Sequence, residues 1–175
     1  MQDYRRKIAY LYAYEGGEKL GNAGFVKAED RGGICRLAVH LRCYSRSGED
    51  PGKVYLYFRH RQQLVGIYLG ALKNRNGALQ WQGTFSSDDI QGKGIRFGQT
   101  EGVWIQRPGG KEYVAEWDDY PVDISRFVIY PKGGEKCIRC PWFGKCERSS
   151  VDEADRRGTV YEGSDPAGQK SREAE

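Results

Sequence analysis

The sequence predicts an all-β fold, either an antiparallel β-sandwich or a barrel, and three observations lead to this prediction. Tyrosine and glycine are abundant, with 12 and 24 copies against a single methionine, and this composition favours strands and tight turns. Segments of alternating polar and apolar residues recur at short spacing, separated by glycine-containing turns. Before Pro121, no stretch of ten or more residues has convincing helical periodicity.

Eight segments show the strand pattern, and the third shows it most clearly. From Cys35 to Cys43 every second residue is apolar or a cysteine, while Arg36, His40 and Arg42 lie between them, so one side of this strand is expected in the core. The eight segments cover residues 7–14, 23–28, 35–43, 54–60, 64–72, 79–85, 102–107 and 111–117. Asn76-Gly77 is a strong hairpin signal. Residues 124–130 fit either a last strand or the start of a short helix.

The 175 residues suffice for one domain with a real core and are few for two. We expect a β-rich domain over residues 1–130, a short cysteine-containing segment over 131–148 and a tail over 149–175. Apolar residues nearly vanish in the tail, so it is predicted to be disordered.

The charge is distributed unevenly along the chain. Before Glu147 there are 23 basic and 16 acidic side chains, a net charge of +7, whereas the remainder carries a net charge of −3. A positive body fits an anionic partner such as nucleic acid. The alternative is that the cations keep the outward faces of strands soluble and protect the sheet edges.

The sequence predicts a cytoplasmic protein that does not enter a membrane. The apolar stretch after Lys7 is short and rich in tyrosine, without a cleavage site of small residues, and nothing approaches the roughly 20 apolar residues that cross a bilayer. The odd number of cysteines, 5, agrees with a location where disulfides are rare.

Three stretches of the chain resemble a known family. Lys7 to Glu15, Asn22 to Val26 and Ala115 to Asp119 are similar to uncharacterised proteins of clostridial bacteria, a family of unknown function. The resemblance implies a bacterial, cytosolic origin and a β-rich body. It implies no active site.

Three cysteines near the end, Cys137, Cys140 and Cys146, have the spacing C-x2-C-x5-C. Two thiolates separated by two intervening residues can bind one metal ion, and the third can join them without a long loop. Iron–sulfur and zinc both fit, and a structural or redox-labile thiol cluster is the alternative. Cys43 is the preferred fourth ligand because it borders a loop, although a buried cysteine acting as a small hydrophobe is its alternative. Cys35 lies about 26 Å further along the strand, so the two cannot share a metal.

The same spacing resembles the C-terminal cysteine triplet of RecB-like and CRISPR-associated exonucleases, which holds a four-iron cluster. That resemblance covers ten residues of this chain. No nuclease core of carboxylates and a lysine accompanies it, so it implies no nuclease activity.

Aromatic residues next to arginines suggest a second candidate site. Tyr55 and Tyr57 precede Arg59, and Trp104 lies near Arg107, on the side of the strands expected to face away from the core. Such rings can form a stacking platform for sugars or single-stranded bases. The alternative is that they pack across strands for stability.

The sequence therefore favours a non-catalytic binding or accessory module with a possible metal or iron–sulfur site. Two alternatives stay open, a nucleic-acid-associated protein with a basic aromatic surface and a carbohydrate-binding β-sandwich. An enzyme has the least support, because the chain has 2 histidines and no Gly-x-Ser-x-Gly motif.

Overall fold

The computed structural model describes residues 4–43, 45–46 and 48–131. Within them ten strands form one sheet. The strands are β1 (Tyr4–Glu15), β2 (Glu18–Arg31), β3 (Ile34–Leu41), β4 (Lys53–His60), β5 (Gln63–Ala71), β6 (Lys73–Arg75), β7 (Ala78–Ser86), β8 (Gly102–Arg107), β9 (Lys111–Glu116) and β10 (Phe127–Ile129). Short 3-10 turns cover Ile90–Gly92, Phe97–Gln99, Pro108–Gly110 and Ile124–Arg126. The all-β prediction is confirmed.

The strands follow one another across the sheet in the order β10-β5-β4-β8-β9-β1-β2-β3-β7-β6. Every pairing is antiparallel except that of β10 with β5, which is parallel. Only Leu72 separates β5 from β6, yet β5 pairs with β4 whereas β6 pairs with β7. The continuous segment from β5 to β6 thus connects the two ends of the strand order, and the sheet must curl to bring these ends together. Of the two predicted architectures, this one is closer to the barrel than to the sandwich.

The predicted turns lie where the strands reverse. Asn76 and Gly77 connect β6 to β7 with φ angles of 52° and 82°, the conformation that a two-residue hairpin turn requires. Glycine adopts it without a steric penalty and asparagine tolerates it. The predicted hairpin at this position is confirmed.

The inward side of the curled sheet is a continuous apolar core. In β3 it includes Cys35, Leu37, Val39 and Leu41, all inaccessible to solvent, as the alternation predicted. Other strands contribute similar side chains, namely Ala9, Leu11, Val26, Ala28, Val54, Leu56, Phe58, Val65, Ile67, Leu79, Val103, Ile105 and Ala115. Burial of these side chains drives the sheet to curl.

The outward side of the sheet is divided into two regions by residues 118–130, which we call the strap. The strap covers one region, where Val122, Ile124 and Phe127 pack on outward residues of β1, β4, β8 and β9. It combines both structures that the sequence allowed for residues 124–130, because the turn Ile124–Arg126 leads directly into β10. The other region, on β1, β2, β3, β7 and β6, is open.

The described residues include no helix of the length and apolarity needed to cross a bilayer. Apart from Pro131, the predicted segments 131–148 and 149–175 lie outside the described residues.

Candidate functional site

The aromatic residues predicted as a stacking platform lie beneath the strap. Tyr55, Tyr57 and Trp104 are 2%, 0% and 3% exposed. Trp104 stacks on Tyr55 with a centroid distance of 4.7 Å, and Phe127 stacks on the other side of Trp104 at 4.4 Å. The position that a base or sugar would occupy is therefore filled by the chain's own phenylalanine.

The two arginines predicted beside this platform have structural partners. Arg59 forms a two-pronged ion pair with Glu101 at 3.0–3.2 Å and donates a hydrogen bond to the carbonyl of Pro121, which fastens the strap. Arg107 points to the inward side, where its Nε donates to the Pro51 carbonyl at 3.1 Å. The structure therefore does not bring the five predicted residues together on one exposed surface.

Cys43, the predicted fourth metal ligand, is half-buried just beyond β3. Its Sγ accepts hydrogen bonds from Arg107 Nη1 at 2.9 Å and from the Tyr113 hydroxyl at 3.5 Å. Burial, followed by the hydrogen bond to Cys43, raises the pKa of Tyr113. The two donors belong to neighbouring strands of the sheet, Arg107 to β8 and Tyr113 to β9.

The other three predicted ligands, Cys137, Cys140 and Cys146, lie outside the described residues. Within the part of the chain that the structure describes, no three His, Cys, Asp or Glu side chains are placed to hold a metal ion. Cys35 is buried in the core, and burial raises the pKa of its thiol to about 12. The iron–sulfur or zinc site stays a prediction.

The open outward region, which we call the open face, is built from outward residues of β1, β2, β3, β7 and β6. The strand register aligns them in rows that cross the sheet. One row, here called the aromatic row, consists of Tyr10, Phe25, His40, Gln80 and Lys73. Three rows lie beside it, formed by Ile8, Lys27, Ala38 and Gln82, by Arg6, Glu29, Arg36 and Thr84, and by Tyr4, Arg31, Ile34 and Ser86.

Cations dominate the open face. Six belong to it, Arg6, Lys27, Arg31, Arg36, Lys73 and Arg75, all exposed except Lys27, which is half-exposed. Among its described residues the one carboxylate is Glu29, whose oxygen lies 2.9 Å from Lys27 Nζ. The hydrogen bond from Lys27 lowers the pKa of Glu29, so the carboxylate stays ionised and offsets one of the six charges. The face is strongly positive.

The open face also exposes aromatic and apolar side chains that strands normally turn inward. Tyr10 is 61% exposed and Phe25 is 41% exposed. Phe25 stacks on His40 at 4.7 Å with an interplanar angle of 19°, which holds the two rings upright on the sheet. Tyr4, Ile8 and Ile34 are exposed on the same face. Contiguous exposed apolar surface is a common property of interaction sites.

Two grooves follow the open face. One has a volume of about 400 Å³ and is lined by residues of β3, β6 and β7, including His40, Lys73, Arg75, Gln80 and Trp81. Trp81 pairs with Val39, so its indole faces inward, where Gly70 and Gly83 lie so close to it that a Cβ at either would collide with the ring. The other groove, of about 790 Å³, is lined by Tyr4, Glu29, Arg31, Ile34, Arg36 and Thr84.

Sequence reasoning did not select the aromatic residues of this face as candidates. The available signal was the first strand segment, where Ile8 and Tyr10 alternate with Ala9 and Leu11. Both sides of that strand are apolar or aromatic, which is unusual for a strand with one side in water. The core residues in this alternation are Ala9 and Leu11, so the large side chains at positions 8 and 10 face outward.

Comparison of the chain with protein-family models, with curated proteins and with solved structures finds no match.

Proposed function

We propose that the protein is a non-catalytic module that binds nucleic acid on its open face. The observation that carries this proposal is the combination, on one side of five neighbouring strands, of six cations, one carboxylate and exposed rings. Nucleic acid is a polymer of phosphates, and proteins gain most of their affinity for it by neutralising those phosphates with lysine and arginine. The net charge of +7 before Glu147 also favours an anionic partner, because a net positive charge attracts a polyanion beyond the range of direct contacts.

The chemistry of the face favours nucleic acid over the carbohydrate alternative. A neutral glycan has no charge for the six cations to meet, so their concentration on one face would serve no purpose in binding it. The amides of Gln80 and Gln82 lie in the groove beside Lys73. An amide side chain both donates and accepts hydrogen bonds, as the edges of bases do.

Charge reversal on the open face tests the proposal. Replacing Arg36 and Lys73 together by glutamate is expected to weaken binding of fluorescent oligonucleotides, both single-stranded and duplex, by at least about tenfold. The slope of log affinity against log salt concentration should also become shallower, because fewer counterions are released. Fluorescence anisotropy over a series of salt concentrations measures both quantities.

The matched control replaces Lys53 and Lys111 by glutamate. Both are exposed lysines at the starts of β4 and β9, outside the open face. The change in net charge is identical, because each double variant replaces two cations by two glutamates. We expect this control to keep most of the affinity. Equal weakening in the two double variants would overturn the proposal, as would a native protein that binds neither form of nucleic acid in a salt-dependent way.

A further inference from the structure

We propose that the open face selects unpaired nucleic acid, with bases stacking on Tyr10 and Phe25. This inference rests on the proposed function and names its substrate class. It starts from the position of the rings, which lie on two neighbouring strands at one end of the aromatic row. Tyr10 is in β1 and Phe25 in the adjacent β2, and the row continues from them over β3, β7 and β6, so a polymer that follows the row passes over both rings.

Only unpaired bases can stack on the exposed rings. In a duplex each base is covered above and below by its neighbours, so it presents edges to a protein and no stacking surface. Every unpaired base has a free π-face, and stacking on an aromatic side chain contributes about 1–3 kcal/mol per base. Because Phe25 and His40 stack on each other, the remaining faces of this pair point along the aromatic row, towards Tyr10 and Gln80.

The shape of the sheet also favours a single strand. The open face is the outer side of a curled sheet and is therefore convex. A duplex is stiff, with a persistence length of about 150 base pairs, and a stiff rod touches a convex surface along a narrow strip. A single strand can follow the curvature and place its phosphates near cations on several strands.

The length of the aromatic row is consistent with such a ligand. The row crosses five neighbouring strands, which at a spacing of about 4.8 Å gives a path of about 19 Å. It begins at the exposed Tyr10 and ends at Lys73 beside the amides of the smaller groove. Rings at one end and a cation with amides at the other give a strand both a stacking surface and an ionic anchor.

The test compares a labelled oligothymidylate of about 12 nucleotides with a duplex of the same length, at one ionic strength. We expect the single strand to bind at least about tenfold more tightly. The double variant Tyr10→Ala, Phe25→Ala should weaken binding of the single strand by about tenfold or more, while the salt slope and the duplex affinity stay nearly unchanged. The control Tyr68→Ala, Tyr120→Ala removes two exposed rings outside the open face and should leave both affinities intact.

Three results would overturn the inference. Equal or tighter binding of the duplex would refute single-strand selection and leave the proposed function standing. Binding of vesicles of phosphatidylcholine and phosphatidylserine that needs Tyr10 and Phe25, without binding of either oligonucleotide, would refute the inference and the proposed function together. Unchanged single-strand affinity in the Tyr10→Ala, Phe25→Ala variant, with a native thermal melt, would refute the stacking role alone.

Discussion

Replacing Trp104 by alanine is expected to reduce the free energy of unfolding by about 3–5 kcal/mol, a large part of the total for a domain of this size. Trp104 is 3% exposed and lies between Tyr55 and Phe127, with stacking distances of 4.7 Å and 4.4 Å. Its indole Nε1 donates a hydrogen bond to Glu112 at 2.7 Å. The substitution therefore leaves a cavity and removes the surface on which the strap packs. Urea denaturation followed by circular dichroism measures the loss.

The control for this prediction is Tyr10→Ala, which also removes a large aromatic ring from an outward position of the sheet. Because Tyr10 is 61% exposed, its loss should change the free energy of unfolding by no more than about 0.5 kcal/mol. Comparison of the Trp104→Ala and Tyr10→Ala variants thereby distinguishes a ring that stabilises the fold from a ring that is exposed and available for binding. Similar losses in the two variants would show that the covered and open regions do not differ as the structure indicates.

The second large effect is expected from Gly102→Ala, with a loss of at least about 3 kcal/mol. Gly102 pairs with Tyr57 on one side and with Glu116 on the other, in the middle of the sheet. A Cβ at this position would collide with the carbonyl oxygen of Ala115 and come within 2.9 Å of the Tyr57 hydroxyl. Backbone atoms of a paired strand cannot withdraw without breaking the hydrogen bonds between β8 and β9.

Gly98→Ala is the matched control for Gly102→Ala. Gly98 lies in the turn Phe97–Gln99, and no atom lies within 4 Å of the position that its Cβ would take. We expect a change in stability within about 0.5 kcal/mol. If Gly102→Ala proved as harmless as Gly98→Ala in the same thermal melts, the pairing of β8 with β9 at this position would be incorrect.

The strands could be predicted from the sequence because their determinants are local. The alternation from Cys35 to Leu41 identifies a strand and its buried side by itself, and Asn76-Gly77 identifies a turn. The curl of the sheet was beyond such reasoning. It depends on β5 and β6 pairing with different strands although a single residue separates them.

The misplaced aromatic platform has a physical explanation. Alternation shows that Tyr55, Tyr57 and Trp104 face away from the inner core, and the structure agrees with this. It does not show what covers the second face. The cover comes from Phe127, which pairs with Leu64 of β5, 63 residues earlier in the sequence, and stacks on Trp104 of β8. Long-range contacts of this kind leave no periodic signal.

The open face was missed for a related reason. The outward positions of single strands were recognised, but the aromatic row exists only through the register of β1, β2, β3 and β7. Two of these strands, β3 and β7, are neighbours in the sheet although β4, β5 and β6 lie between them in the chain. Which cations and rings share a surface therefore becomes visible only with the strand order.

The most direct test of the central claim is photo-crosslinking of the protein to a single-stranded oligonucleotide that contains photoreactive thiouridine, followed by mass spectrometry of the peptides. We predict that the cross-links concentrate on β1, β2 and β3, at Tyr10, Phe25 and His40, and that unlabelled competitor and high salt abolish them. Cross-links confined to Tyr68, Tyr120 or other positions away from the open face would contradict the assignment of this surface.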